Sequence, residues 1–343
     1  MCCVSTPSGL PELAEKYAPV VVLHAEEKLQ PAPVAWFLER CSLRWATGRG
    51  LTGEKVSDEV DAGRLGAASK KPYTHDGVQA SALTRPLDES RARPPGLPPE
   101  QGFFLRLREE KFARGRNGGS RTYWDFDETT GGLTFWLFYP GSAPPLGILR
   151  ASEQLEGRDD EVPDEVVAAD AAAKLEEFSR AYPGLAAQAE PGEEGVVGDT
   201  IQRLKVVSEG VRALLRDDDV LHEGDWERIT VYLDGSDPAS VAFYRHSTNT
   251  FKRWSSVEKD GTHPVVYSAI GSHASLPSAD FGFIDVGDRD GPRWKTFEDI
   301  THVVDEPWYG FGGAWGRLGK VRDSTGPLGP GAHWKHPAPR PAV

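Results

Sequence analysis

The chain of 343 residues has only three cysteines and one methionine. No apolar run approaches the roughly 18 residues that a membrane-spanning helix needs. Three thiols, two of them adjacent at Cys2 and Cys3, supply no disulfide framework. Basic charge is scarce: 39 Lys and Arg stand against 52 Asp and Glu, for a formal charge of −13. That balance argues against a general nucleic-acid binder, which presents a basic face, and against electrostatic attachment to anionic lipid. The opening MCCVSTPSGLPELAEKY lacks the charged start and apolar block of a secretory signal. A reducing, cytoplasmic location is the expectation. Cys2 and Cys3 then read as incidental thiols of a tail, although adjacent cysteines there can also accept palmitoyl groups in a eukaryotic cell.

Aromatic residues are plentiful, with ten Trp and fourteen Phe to fill a core. Ala18 to His24 in EKYAPVVVLHAEEKLQP reads as a buried strand followed by a polar turn. In PVAWFLERCSLRW, the positions Val34, Phe37, Leu38, Cys41 and Trp45 recur at helical spacing and predict a helix with Cys41 on its inner face. Residues 48–101, rich in Gly, Pro and charge, read as a long irregular loop, either a functional cover or loosely ordered. Beta signals resume at FFLRLREEKF, and RTYWDFDETTGGLTFWLFYP predicts a hairpin turning at Thr130-Gly131-Gly132.

Residues 150–218 are acidic and Ala-rich and predict a helical insertion. Its first helix is DEVVAADAAAKLEEFSRAY, closed by Pro183-Gly184. Its second, DTIQRLKVVSEGVRALLRDDD, puts Ile201, Leu204, Val207, Val211 and Leu215 on one stripe. Strands return in DWERITVYL, SVAFYRH and PVVYSAIGSHAS, and the Gly-, Pro- and Trp-rich end should be irregular backbone packed by aromatics. The order predicts one domain over residues 1–343: mainly β, an antiparallel β-sandwich with an inserted α-helical pair.

The stretch LHEGDWERITVYLDG carries the chemistry. Side chains two apart on a strand share a face, so Asp225 and Glu227 lie on the face of Ile229, Val231 and Leu233. That face should turn toward a core, where an unpaired carboxylate is costly. Either the mouth of the strand is wet or something positive sits there. A divalent cation would neutralise the two acids, with His222 at the entry turn reaching the same point. Asp217 to Asp219 lie close enough in sequence to add an oxygen, and His273 in GSHAS would close the site from a neighbouring strand. Oxygen ligands favour Mg, Ca or Mn; two His with two acids would also suit Zn or Fe. The plain alternative is a solvated acidic strand end with an ordinary hydrogen-bonded His. His246 and Arg245 follow the next strand and fall near the same rim, His246 as a proton shuttle or as a His satisfied by backbone. Arg228 has the other parity and reads as a surface ion pair.

Several stretches, namely YAPVVVLHAEEKLQPAPVAWFL, LTFWLFYP, HEGDWERITVYL, RHSTNTFKRW, HPVVYSAIGSHASLPS, EPWYGFGGAWG and GPLGP, together resemble the vacuolar protein sorting 62 family of fungi, plants and bacteria. They stand in the family's order and cover about half the chain. The family name implies a role in membrane trafficking or protein transport. More remotely, the HEGDWE stretch resembles the signature of microbial necrosis-inducing toxins, in which the residues matching His222, Asp225 and Glu227 bind a divalent cation at the rim of a β-sandwich. Those toxins carry a second His where Gly224 stands here, and they are secreted.

The leading expectation is therefore a divalent-metal-binding protein whose rim holds or acts on a small organic ligand. His222, Asp225 and Glu227 would be the metal residues and His273 or His246 would move protons. A non-catalytic membrane-trafficking or lipid- or sugar-head-group recognition module is the alternative, and a toxin-like membrane-active protein a further one. A serine triad is disfavoured, since Ser272 and His273 are adjacent on a strand and point to opposite faces. The phosphate-loop-like GAWGRLGKV, the calcium-loop-like DVGDRDG and the proline-rich RPPGLPPEQG each lack a required residue or have a plainer reading as loop.

Overall fold

A computed structural model describes residues 7–48, 52–88, 93–115, 120–143, 172–173, 175–180, 182–186, 220–246, 248–281 and 286–332. In chain order the first strands are β1 (Val20–Val22), β2 (Cys41–Thr47), β3 (Glu54–Ser57), β4 (Thr74–His75), β5 (Val78–Gln79) and β6 (Gln101–Leu107). Then come β7 (Thr122–Asp127), β8 (Gly132–Ser142), β9 (His222–Asp234), β10 (Asp237–Arg245) and β11 (Thr248–Arg253). The last five are β12 (Lys259–Asp260), β13 (His263–Ser268), β14 (Ser275–Leu276), β15 (Arg293–Lys295) and β16 (Ile300–His302).

The fold is mainly β and sandwich-like. One sheet has six strands in the order β11-β10-β9-β8-β7-β16, and a facing one runs β12-β13-β1-β15 with β14 beside β13. Their inner faces share a core: Val21, Val266 and Trp294 from one meet Leu133, Phe135, Leu137, Ile229, Val231, Leu233 and Phe243 from the other. Most pairs are antiparallel as expected, but β1 runs parallel to β13 and β16 parallel to β7.

A third sheet, β3-β2-β6, adds a layer that a two-sheet sandwich does not have. Its Leu43, Trp45, Phe103 and Leu105 share a second core with Trp136, Phe138 and Trp226 on the other face of the six-stranded sheet. Strand β9 is thereby covered on both faces, and every residue from Glu223 to Leu233 is buried. Double burial is the reason polar Arg228 and Thr230 sit inside rather than on a wet outer face.

Local expectations fared unevenly. The hairpin forms, β7 to β8, with Gly131 at φ 68 in its turn and Asp127 Oδ1 accepting from Thr129 N at 2.7 Å. The helix predicted through Trp45 stops early and covers only Val34–Leu38. Cys41 is buried, but on β2, because Cys41, Leu43 and Trp45 also fit a period of two and β6 offers a seven-pair ladder. Residues 48–101, read as a long loop, contain β3, β4, β5 and a 3-10 turn at Ala62–Arg64.

Of the helical insertion, residues 175–180 are helical, Tyr182 is not, and Pro183 opens a separate short turn, Pro183–Ala186. The second helix of the pair, at 199–219, and the thiols of Cys2 and Cys3 lie outside the described residues. Among the described residues no helix is long and apolar enough to cross a membrane.

Candidate functional site

The mouth of β9 lies against β8, with Tyr139 opposite Asp225 and Ser142 opposite His222. Asp225 and Glu227 occupy the face of Ile229, Val231 and Leu233, as the alternation requires, and both are buried. The protein itself brings a group that can carry positive charge to this mouth. His273 Nδ1 lies 2.9 Å from Asp225 Oδ2. On its other side His273 Nε2 lies 3.0 Å from the carbonyl oxygen of Leu29 and 3.6 Å from Glu27 Oε2. The three side chains are closed off from water: His273 is 1% exposed, Asp225 6% and Glu27 8%.

Both ring nitrogens of His273 thus face oxygen acceptors. A neutral imidazole would set a lone pair against one of them, whereas the doubly protonated ring donates to both. Burial alone disfavours that charge, but Glu27 and Asp225 outweigh it and raise the His273 pKa to about 9. Glu27 is lowered in return. Burial pushes its carboxyl up, and the pull of His273 with the amides of Gly271 and Leu29 more than reverses this. Those amides donate at 2.6 Å to Glu27 Oε2 and at 2.7 Å to Glu27 Oε1. The Tyr139 ring lies flat on His273, with centroids 3.8 Å apart and planes 3° apart, and offers its electron-rich face to the cation. Burial, with Glu227, Glu27 and Asp225 nearby, keeps the Tyr139 phenol protonated.

Three separate elements build this arrangement. Glu27 sits in the loop after β1, Asp225 on β9, and His273 in a tight turn after β13, where it adopts φ 56. The turn is held by His273 N donating to Ala269 O and by Ala143 N donating to Gly271 O, at 2.9 and 2.8 Å. His273 therefore arrives from the facing sheet, across the core, rather than from a strand neighbouring β9.

The other expected residues are placed differently. His222 Nδ1 is 2.8 Å from the carbonyl oxygen of Gly224, and burial lowers its pKa, so its ring is neutral. Glu227 stays on the Asp225 face, within electrostatic reach of Tyr139. His246 stands at the same end of the sheet but rests its ring on Tyr182 at 4.5 Å, and Arg245 pairs with Glu177 at 3.0 Å. These two contacts tie Tyr182 and Glu177 to the end of β10. Arg228 is not a surface ion pair: it is buried with its guanidinium 3.8 Å from the Tyr244 ring centroid. Ser272 donates its backbone N–H to Ile270 O at 2.9 Å.

Among the described residues no three His, Cys, Asp or Glu side chains converge as metal ligands would. With both ring nitrogens protonated, His273 would have no lone pair to offer a metal; a cation at this mouth would need the ring to lose a proton. Asp217 to Asp219 lie outside the described residues. The toxin signature's second His has no room at position 224. Gly224 has φ 64, and a Cβ there would lie 1.9 Å from the Trp315 carbonyl oxygen.

Two buried acids had not been expected. Glu27 reads in the sequence as one of a pair of turn residues with nothing to set it apart from exposed Glu26. Glu223 accepts from Leu107 N at 3.0 Å and ties the mouth of β9 to the end of β6. Its place in HEGDWE, one residue from the glycine bend, was the available signal. No protein-family model, curated protein or solved structure matches this chain.

Proposed function

We propose that this chain is a non-catalytic recognition module in which the acid–histidine rim is an internal charge lock. The observation that carries this reading is that Asp225 and Leu29 O present acceptors to both nitrogens of one buried imidazole. The groups expected to move protons are committed elsewhere: His273 to the lock and His246 to Tyr182. Two buried carboxylates would each cost several kcal/mol without a counter-charge, and His273 supplies it while joining three segments of chain. The resemblance to a family named for protein sorting is consistent with binding rather than turnover.

A second reading keeps the divalent cation. It is favoured by Glu227, Glu27 and Asp225 all lying within electrostatic reach of Tyr139, an oxygen-rich set suited to Mg, Ca or Mn. The cation would carry the charge that the His273 proton supplies in the first reading. Elemental analysis of the purified protein, with melting curves in the presence and absence of EDTA, separates the two. The lock predicts no stoichiometric metal, no EDTA effect, and lower melting temperatures for Asp225→Asn and His273→Gln. A stoichiometric ion that both variants lose while remaining folded would establish the cation reading instead.

A further inference from the structure

The chain is acidic overall, yet one open concavity of about 270 Å³ is lined by Arg44, Arg106 and Arg108 together with Ser42, Thr52 and Asp58. The β2–β6 ladder produces the grouping. Ser42 pairs with Arg106 and Arg44 with Phe104, so Ser42, Arg44 and Arg106 share one face of the sheet. Arg44 and Arg106 are then diagonal neighbours, a placement in which like charges repel. Arg108 follows two residues after Arg106 at the strand's end.

The single carboxylate in the lining does little to offset this, because Asp58 Oδ1 is 2.9 Å from Lys55 Nζ. Arg44 is fixed by neutral groups: its Nε donates to Ser42 Oγ at 3.2 Å and its Nη1 to Thr52 O at 2.7 Å. Arg108 is likewise held by backbone, through Nε to Arg40 O and Nη2 to Glu39 O. Among the described residues neither makes an ion pair, and each keeps one terminal amino group, Nη2 of Arg44 and Nη1 of Arg108, without an acceptor. Two guanidinium groups oriented by carbonyls, with spare donors bordering one concavity, are preorganised for an anion.

We infer that this concavity binds a phosphomonoester, the terminal dianionic phosphate seated between Arg44 and Arg108 and the remainder of the molecule projecting outward. A phosphate of this kind carries close to two charges near neutral pH and three acceptor oxygens, against one charge for a carboxylate. A volume of about 270 Å³ takes the phosphate with room for part of the group that carries it. The same chemistry is offered by a phosphorylated lipid head group and by a soluble phosphorylated metabolite. The site is distant in sequence and role from the Asp225–His273 lock. It gives the recognition reading a ligand class, and its own failure would leave the lock untouched.

The test is titration of the full chain with glycerol 3-phosphate and inorganic phosphate by calorimetry. A parallel arm measures sedimentation with phosphatidylcholine vesicles with and without phosphatidic acid. Saturable binding is expected in at least one arm, weakened roughly tenfold or more by Arg44→Gln and by Arg108→Gln. Arg44→Lys, which keeps the charge and loses the planar fork, should recover only part of it. Binding in the soluble arm assigns a metabolite, and binding confined to phosphatidic-acid vesicles assigns a lipid head group. Absence of saturable binding in both arms overturns the proposal, as does binding that both Gln variants retain with an unchanged melting temperature. Asp225→Asn, if folded, should bind as the parent does.

Discussion

The protonation of His273 sets the charge balance at the mouth of β9, and this makes stability depend on pH in a definite direction. The His273 pKa is raised to about 9 in the folded chain, against roughly 6.5 for an unperturbed His. Its contribution is therefore complete below about pH 6.5 and is lost as pH rises through about 9, an effect of roughly 3 kcal/mol. On the acid side the lowered Glu27 contributes above its unfolded value of roughly 4.3 and loses that contribution as pH falls through its folded pKa. Urea unfolding at several pH values should show the alkaline loss in the parent and abolish it in His273→Gln. A parent flat across that window would contradict the assignment. Gly224 gives a second test at this scale. Its positive φ and the nearby Trp315 carbonyl oxygen predict a loss of roughly 3 kcal/mol for Gly224→Ala by the same measurement, and a loss under about 1 kcal/mol would show that the bend relaxes.

Much of this was legible one residue at a time. Alternation placed Asp225 and Glu227 on the core face, burial cost demanded a positive partner, and His273 was among the candidates. Glu27 was not legible, because its role exists only where a loop 244 residues away in sequence delivers Gly271 to its carboxylate. The fate of His222 was hidden for a related reason: the Gly224 bend lets its ring turn back on the local backbone.

At the level of elements, periodicity was reliable where a segment had one period and failed where it had two. Strand β9 and the β7–β8 hairpin have the strict alternation or turn glycines that leave little choice. The segment after Val34 fits both a helix and a strand, and its seven-pair ladder with β6 decided the matter. The described part of the insertion meets the end of β10 through Glu177 with Arg245 and Tyr182 against His246, and it carries Phe178, which is fully buried and stacked on Tyr182. Phe178→Ala should cost roughly 3 kcal/mol or more, as buried Phe truncations do. Glu177→Gln, removing a half-exposed pair, should cost less than about 1 kcal/mol. Equal losses by thermal unfolding would show that the ion pair, rather than the aromatic anchor, holds the segment.

For the whole molecule, three stacked sheets explain a central strand with no wet face and a polar cluster walled inside. Sandwich architecture could be read from the order of strands; the third layer could not, since its strands β2 and β3 lie in segments that read as helix and loop. The layering also sets two charged clusters apart. Glu27, Asp225 and His273 lie in the interior, as Arg228 does, while Arg44, Arg106 and Arg108 line a concavity on the outer sheet. In the charge-lock reading a doubly protonated His273 holds the interior cluster. Nitrogen-15 NMR of the histidine side chains across neutral to alkaline pH tests it most directly. Both His273 nitrogens should be protonated at pH 7.5, with a single titration near pH 9. A neutral His273 at pH 7.5, or a nitrogen shift abolished by EDTA, would contradict it.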